Sequence, residues 1–287
     1  MTPQAMTPQA MTPRHLTLDA GRQAYRESGE GPTIVLLHGI SSGAASWAPL
    51  APYLAGYHLL AWDAPGYGDS RPLANEVPTA ADYAERLDAW LDALGIERCV
   101  LVGHSLGAMM ASAFAARRPG RLAGVILADP ALGYRDADAT KRDEVYRSRW
   151  TMLAEQGHEA YAAARAPRLL RDGADPADVA RVREGMRRLH VEGFAQASWM
   201  LANDALEGYV PGGLPVPAMV LCGDEDAITT PEASRTLAER LGLPYRDIPR
   251  AGHASHIDAP AAFAEAVAAF AGPLLAPATR TRERTTP

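Results

Sequence analysis

Short unbroken apolar runs, separated by stretches with helical spacing, set the pattern of this chain. Thr33–Leu37 (TIVLL), Tyr57–Trp62 (YHLLAW), Cys99–Gly103 (CVLVG), Leu122–Leu127 (LAGVIL), Val216–Cys222 (VPAMVLC) and Tyr245–Ile248 (YRDI) predict strands. Most of these runs lack polar alternation, which marks strands buried on both faces, as in a parallel sheet. Upstream, His15–Asp19 and Arg22–Glu27 flank Ala20-Gly21 and predict a hairpin. Between the strands, helical spacing recurs over Trp47–Leu54, Ala80–Leu94, Leu106–Arg118, Pro231–Leu241 and Pro260–Phe270. In Ala80–Leu94 the residues Tyr83, Leu87, Trp90, Leu91 and Leu94 fall at helical spacing, with Thr79 as cap and Gly95 as stop. Strands alternating with helices predict an α/β fold with a mostly parallel, eight-stranded sheet covered on both faces.

From Gly133 to about Val210 the pattern changes to long helical periods rich in arginine and acidic residues, without a clear strand. The expected organisation is a core in two parts, 15–132 and 211–272, interrupted by a helical lid insertion at 133–210. Most of the insertion's large apolar residues, such as Trp150, Leu153, Tyr161 and Met186, should bury its own helices; a minority should face the site. Residues 1–14 carry a tandem MTPQA repeat and are expected to form a disordered extension, read as an over-extended start. Residues 273–287, rich in Pro, Thr and Arg, are expected to be a flexible tail.

Composition narrows the function classes. The chain has 287 residues, 47% apolar and 22% charged, which suits one globular core plus an insertion. A net charge of −6 gives no footprint for nucleic acid or an anionic membrane. No apolar run approaches the roughly 20 residues of a membrane span. Cys99 and Cys222 lie beside apolar runs and demand no disulfide, which fits a reducing, cytoplasmic setting. No spacing of Cys, His and carboxylates matches a zinc site. The expected partner is a small-molecule substrate, with neither metal nor organic cofactor.

Gly103-His104-Ser105-Leu106-Gly107 fits G-x-S-x-G, and it follows a predicted strand and opens a predicted helix. Such a turn is tight enough to put Ser105 in strained backbone, and the flanking glycines leave room for it. The helix N-terminus below supplies N–H groups and positive potential where negative charge develops, so Leu106 N–H is a candidate oxyanion donor. A serine hydroxyl is a poor nucleophile until a base takes its proton.

With HGISSGAASW (38–47), WDAPGYGDS (62–70), VGHSLGA (102–108), GDEDAITTP (223–231) and GHASHIDAP (252–260) in this order, the chain resembles the α/β-hydrolase superfamily. The similarity covers residues 31–130 and 215–272. The resemblance implies a triad in the order Ser, acid, His: Ser105 as nucleophile, Asp226 as acid and His253 as base. Asp224 and Asp129 are the alternative acids, and His256 is a weaker base. It also implies a second oxyanion donor in the loop after the first parallel strand, at Ile40 N–H. His104 is expected to pack or bond locally.

The phrases resemble the branch of small carboxylesterases, enol-lactonases, carbon–carbon bond hydrolases, perhydrolases, epoxide hydrolases and dehalogenases. Ser105 stands where epoxide hydrolases and haloalkane dehalogenases carry Asp. His104 and Ala254 stand where ring-cleavage hydrolases usually carry Asn and Trp. The expected activity is hydrolysis of an ester or lactone of a small, partly apolar substrate through an acyl-enzyme. The alternatives are carbon–carbon bond hydrolysis of a diketone-type ring-cleavage product, a low-turnover ligand-binding role, or cofactor-independent oxygenation led by the histidine.

Overall fold

The structure, a computed structural model, describes residues 10–276. Eight strands form one sheet: β1 (Thr12–Leu18), β2 (Gly21–Ser28), β3 (Thr33–Leu37), β4 (His58–Trp62), β5 (Cys99–His104), β6 (Leu122–Ala128), β7 (Ala218–Gly223) and β8 (Tyr245–Ile248). Their order across the sheet is β1-β2-β4-β3-β5-β6-β7-β8. The pairs β1–β2 and β2–β4 are antiparallel. All later neighbours are parallel. The helices are α1 (Ala80–Ala93), α2 (Leu106–Arg117), α3 (Ala139–Arg165), α4 (Pro176–Arg187), α5 (Val191–Asn203), α6 (Pro231–Leu241), α7 (Ser255–Asp258) and α8 (Pro260–Leu275).

The unbroken apolar runs have a direct structural reason. Successive side chains of a strand point to opposite faces, and here both faces are covered. Val35, Leu37, Leu60, Trp62 and Leu101 enter one core cluster with residues of α1 and α2. Ile34, Leu36, Leu59, Ala61, Val100 and Val102 enter a second cluster with Trp47, Leu50, Phe263 and Val267. Each fully buried aliphatic or aromatic side chain contributes about 1.5–3 kcal/mol. The first cluster continues without a break into the insertion, through Val145, Leu153, Tyr161, Met186, Phe194 and Met200.

The chain leaves β3 for β4 on one side and returns to β5 on the other. Such a switch in strand order opens a crevice at the carboxyl ends of the strands, where open α/β sheets bind ligands.

Three boundaries differ from those read in the sequence. Residues 12–14, assigned to the extension, begin β1: Thr12 pairs with Glu27 and Arg14 with Tyr25, and the Arg26 guanidinium donates to Met11 O at 3.1 Å. The strand is a sheet edge and mostly exposed, so its residues carry no apolar alternation, and Pro13 is tolerated there. The helix expected at Trp47–Leu54 is a 3-10 segment, Ala44–Tyr53, that contains Pro49 and Pro52. At the other end, α8 runs through Pro273 to Leu275 because Phe270, Leu274 and Leu275 pack on the second cluster. Residues 1–9 of the expected extension and 277–287 of the expected tail lie outside the described residues.

The insertion holds α3, α4 and α5, and a bridge between Gly133 and Ala205 brings its two ends together. Gly157 (φ 81°, ψ 169°) breaks α3 into two arms. No helix among the described residues is long and apolar enough to cross a membrane.

Candidate active site

Ser105 sits between β5 and α2 with φ 52° and ψ −115°. A non-glycine residue in such a region stores about 1–3 kcal/mol of strain. The surroundings hold it there: Ser105 N–H donates to Ala128 O at 2.9 Å, and its carbonyl accepts from Ala108 N at 2.9 Å and Ala131 N at 3.2 Å. The flanking glycines are required by space. A Cβ on Gly103 would strike the carbonyl of Gly107, and one on Gly107 would strike the carbonyl of Leu37.

The loop after β8 brings His253 to this serine, and the loop after β7 brings Asp226 to the histidine. His253 Nε2 lies 3.0 Å from Ser105 Oγ, and His253 Nδ1 lies 2.9 Å from Asp226 Oδ2. All three side chains are buried. Burial pushes the His253 pKa down, but the hydrogen bond and charge of Asp226, with the charge of Asp129, raise it above the ordinary value. Burial pushes Asp226 up, yet the His253 hydrogen bond and charge, with donors from Thr229 and Ile228, bring it to about 2. An ionised carboxylate therefore faces Nδ1–H, which leaves Nε2 free to accept a proton from Ser105.

Asp226 is itself pinned. Its Oδ1 accepts from Ile228 N at 2.7 Å and Thr229 N at 3.0 Å, and its Oδ2 accepts from Thr229 Oγ1 at 2.7 Å. Thr229 Oγ1 also lies 3.1 Å from His253 Nδ1 and 3.0 Å from Asp129 O. Thr229 carries no sequence signal of this role; its position two residues after Ala227 in the turn becomes informative only once the loop is folded.

The alternatives fall elsewhere. Asp129 accepts from Gly223 N at 2.8 Å and from Ser255 Oγ, and it makes no hydrogen bond to the His253 ring. Burial, aided by the Asp226 charge, pushes its pKa up to about 7. Asp224 is exposed, and its Oδ1 meets Ala251 N at 3.3 Å. His256 is buried against Trp47, ring centroids 4.3 Å apart, with neither ring nitrogen hydrogen-bonded among the described residues. His104, as expected, bonds locally: its Nε2 donates to His253 O at 2.7 Å. Burial first, and then the charge of His253, lowers the His104 pKa to about 3, so it holds the His253 backbone as a neutral ring.

Two backbone donors flank the serine. Leu106 N–H opens α2. Ile40 N–H belongs to the peptide whose carbonyl, Gly39 O, is held by His38 Nδ1 at 2.8 Å and Ser42 N at 3.2 Å. His38 Nε2 accepts from Ala64 N–H at 3.0 Å, so one neutral tautomer satisfies both of its bonds. In a trans peptide the N–H opposes the carbonyl, and no acceptor for Ile40 N–H occurs among the described residues. A Cβ on Gly39 would come within 3.0 Å of Ser105 Cβ, so this loop abuts the serine closely.

A cavity of about 280 Å³ contains Ser105, His253, Ile40 and Thr229, and Leu169 and Leu201 of the insertion line it. A larger cleft of about 820 Å³ adjoins it and shares Ser41, Ser42, His104 and Leu169. That cleft includes neither Ser105 nor His253, so the smaller cavity holds the reacting groups. Asp129, Cys222 and Asp226 cluster within metal-ligating reach of one another. Asp226 and Asp129 are engaged there by hydrogen bonds, and burial pushes the Cys222 thiol well up, so the trio is a poor metal ligand set.

Comparison with known proteins agrees with this fold. Residues 32–260 match the family described as alpha/beta hydrolase fold. The chain is 30% identical over 256 residues to a 2-succinyl-6-hydroxy-2,4-cyclohexadiene-1-carboxylate synthase of Pectobacterium atrosepticum, covering 83% of this chain and 93% of that protein. It is 37% identical over 111 residues to a 2-hydroxy-6-oxo-6-phenylhexa-2,4-dienoate hydrolase of Comamonas testosteroni, covering 37% and 39%. A thermophilic esterase from Thermogutta terrifontis superposes with TM-score 0.82 at 25% identity, covering 92% of this chain and 100% of that one. An enol-lactonase from Burkholderia xenovorans superposes with TM-score 0.78 at 27% identity, covering 90% and 99%.

Proposed function

The chain belongs to the α/β-hydrolase fold family and is a hydrolase, and from that premise we propose that it cleaves an ester or lactone through an acyl-enzyme on Ser105. The observation that carries this reading is the continuous path from Asp226 Oδ2 to His253 Nδ1 and from His253 Nε2 to Ser105 Oγ, at 2.9 and 3.0 Å. Both lengths lie within the range of proton transfer. The esterase and enol-lactonase structures support the same chemistry.

Ser105 Oγ attacks the carbonyl carbon while His253 Nε2 takes the hydroxyl proton. The carbonyl oxygen becomes an oxyanion and accepts from Ile40 and Leu106 N–H; each such donor is worth about 2.7–4 kcal/mol in the transition state. The carbon–oxygen bond to the leaving group breaks as Nε2 returns the proton to that oxygen. A water then attacks the acyl-enzyme, giving its proton to Nε2, and the serine leaves with that proton restored. One ester and one water yield one acid and one alcohol; a lactone yields the hydroxy acid. Asp226 stays ionised throughout and holds the imidazole's tautomer. Residues 133–210 act as the lid of this site, a role supported by Leu169 and Leu201 at the cavity wall.

The Comamonas relative favours a second reading with the same residues, hydrolysis of a carbon–carbon bond beside a ketone. Turnover of 4-nitrophenyl acetate and of an enol-lactone, measured beside a vinylogous diketone, separates the two. Ester or lactone turnover that disappears in Ser105→Ala supports the proposal. Turnover of the diketone alone, or turnover that survives the substitution, overturns it.

A further inference from the structure

Arg149 and Arg165 both line the cavity that contains Ser105 and His253, and no Asp or Glu lines it. Both arginines lie on α3, on opposite sides of the Gly157 break. A straight helix would carry residues this far apart in sequence to points about 24 Å apart. The break at Gly157, with its left-handed φ of 81°, lets both residues line one cavity of about 280 Å³.

Neither has an acidic hydrogen-bond partner among the described residues. Arg149 and Arg165 form no ion pair among the described residues, and of the arginines there that lack one, these two line the cavity of Ser105. The one hydrogen bond of the Arg149 guanidinium there is Nη1 to Val145 O at 3.0 Å. Glu144, the nearest acidic neighbour in sequence, is engaged by Lys141. Burial, and then repulsion from Arg165, lowers the Arg149 pKa against the smaller opposing charge of Glu144, so the two cations are close enough to repel each other. Unpaired charge is costly to desolvate, and a planar guanidinium offers a fork that matches a carboxylate.

We propose that Arg149 and Arg165 form an anion subsite, and that the substrate hydrolysed at Ser105 carries a carboxylate remote from its scissile carbonyl. This rests on the ester or lactone reading above and names the substrate class for it. The apolar walls at Leu132, Leu169 and Leu201 would hold the intervening hydrocarbon.

The test compares 4-nitrophenyl hexanoate with the 4-nitrophenyl hemiester of adipic acid, in which the terminal methyl becomes a carboxylate. It uses wild type, Arg149→Met, Arg165→Met, the matching Lys variants, and Arg168→Met as an exposed control. Adipate-dependent shifts in Tm are measured on the same proteins. The expected result is a kcat/KM ratio, anionic over neutral, of at least tenfold in wild type. It should fall tenfold or more in each Met variant, recover partly in the Lys variants, and stay unchanged in Arg168→Met. Adipate should raise the Tm of wild type and not of the Met variants, which also shows that those variants fold. Turnover of the neutral ester with equal ratios throughout, and no arginine-dependent Tm shift, overturns the subsite and leaves the ester reading intact. An arginine-dependent Tm shift with no turnover of either ester upholds the subsite and sinks the ester reading. Absence of both effects overturns both.

Discussion

Ser105 Oγ and His253 Nε2 lie 3.0 Å apart although 148 residues separate them along the chain. The serine is held by its strained turn and the histidine by the His104–His253 backbone bond, so the distance is set by two independent supports. Ser105→Ala should reduce kcat by about 10⁴–10⁶-fold. Its unfolding free energy should stay within about 1 kcal/mol of wild type, because one hydroxyl with one modest hydrogen bond is removed. Steady-state kinetics and denaturant titration on the same preparation check both.

Asp226 and Asp129 make opposite expectations. Activity needs a neutral His253, and Asp226 raises that histidine's pKa, so kcat/KM should rise with pH through a midpoint above the ordinary value of about 6.5. Asp226→Asn should lower kcat by about 10⁴-fold and move the acid limb to lower pH. Asp129→Asn should cost far less activity, since Asp129 bonds Gly223 N and Ser255 and not the imidazole. If Asp129→Asn carried the larger loss, the acid would be misassigned.

Asp129 should also shape stability. Its folded pKa of about 7 lies above its unfolded value. The stability it contributes is therefore full below about pH 4 and lost as pH rises through about 7. Tm measured from pH 4 to pH 8 should turn in favour of Asp129→Asn as pH increases. A constant difference across that range would contradict the buried, raised carboxyl.

Thr229→Val should lower kcat/KM by roughly tenfold, in line with loss of one hydrogen bond to a charged group. Asp226 keeps its two backbone donors, Ile228 N and Thr229 N, so the loss should stay well short of that in Asp226→Asn. Parallel kinetics of the two variants measure the difference.

His256 is buried among Trp47, His104 and Phe263 with no hydrogen bond to either nitrogen among the described residues. Burial first, then the neighbouring histidines, pushes its pKa well below 6.5. A lowered histidine pKa removes stability as pH falls below the unfolded value of about 6.5. His256→Phe should retain kcat/KM within a few-fold and gain Tm relative to wild type as pH drops from 7 to 4. Loss of turnover in this variant would revive His256 as the base.

What could be read before folding was what local chemistry dictates. The strand-to-helix setting marked Ser105, and the unbroken runs at Thr33–Leu37 and Cys99–Gly103 marked strands whose alternate residues supply two cores. His253 and Asp226 required the added order of elements that the resemblance implied. Thr229 and His38 escaped notice because their partners come from loops that meet only in the fold. Thr12–Arg14 escaped because an exposed edge strand needs no apolar alternation. Arg149 and Arg165 fall in an insertion rich in arginine, where spacing does not distinguish them; the turn at Gly157 and their shared place on the wall of the Ser105 cavity, both three-dimensional facts, single them out.

The most direct test of the central claim is intact-protein mass after incubation with a fluorophosphonate, on wild type and Ser105→Ala side by side. The expected result is one adduct on wild type and none on the variant. An unlabelled, folded wild type, or equal labelling of the two proteins, would contradict an activated Ser105.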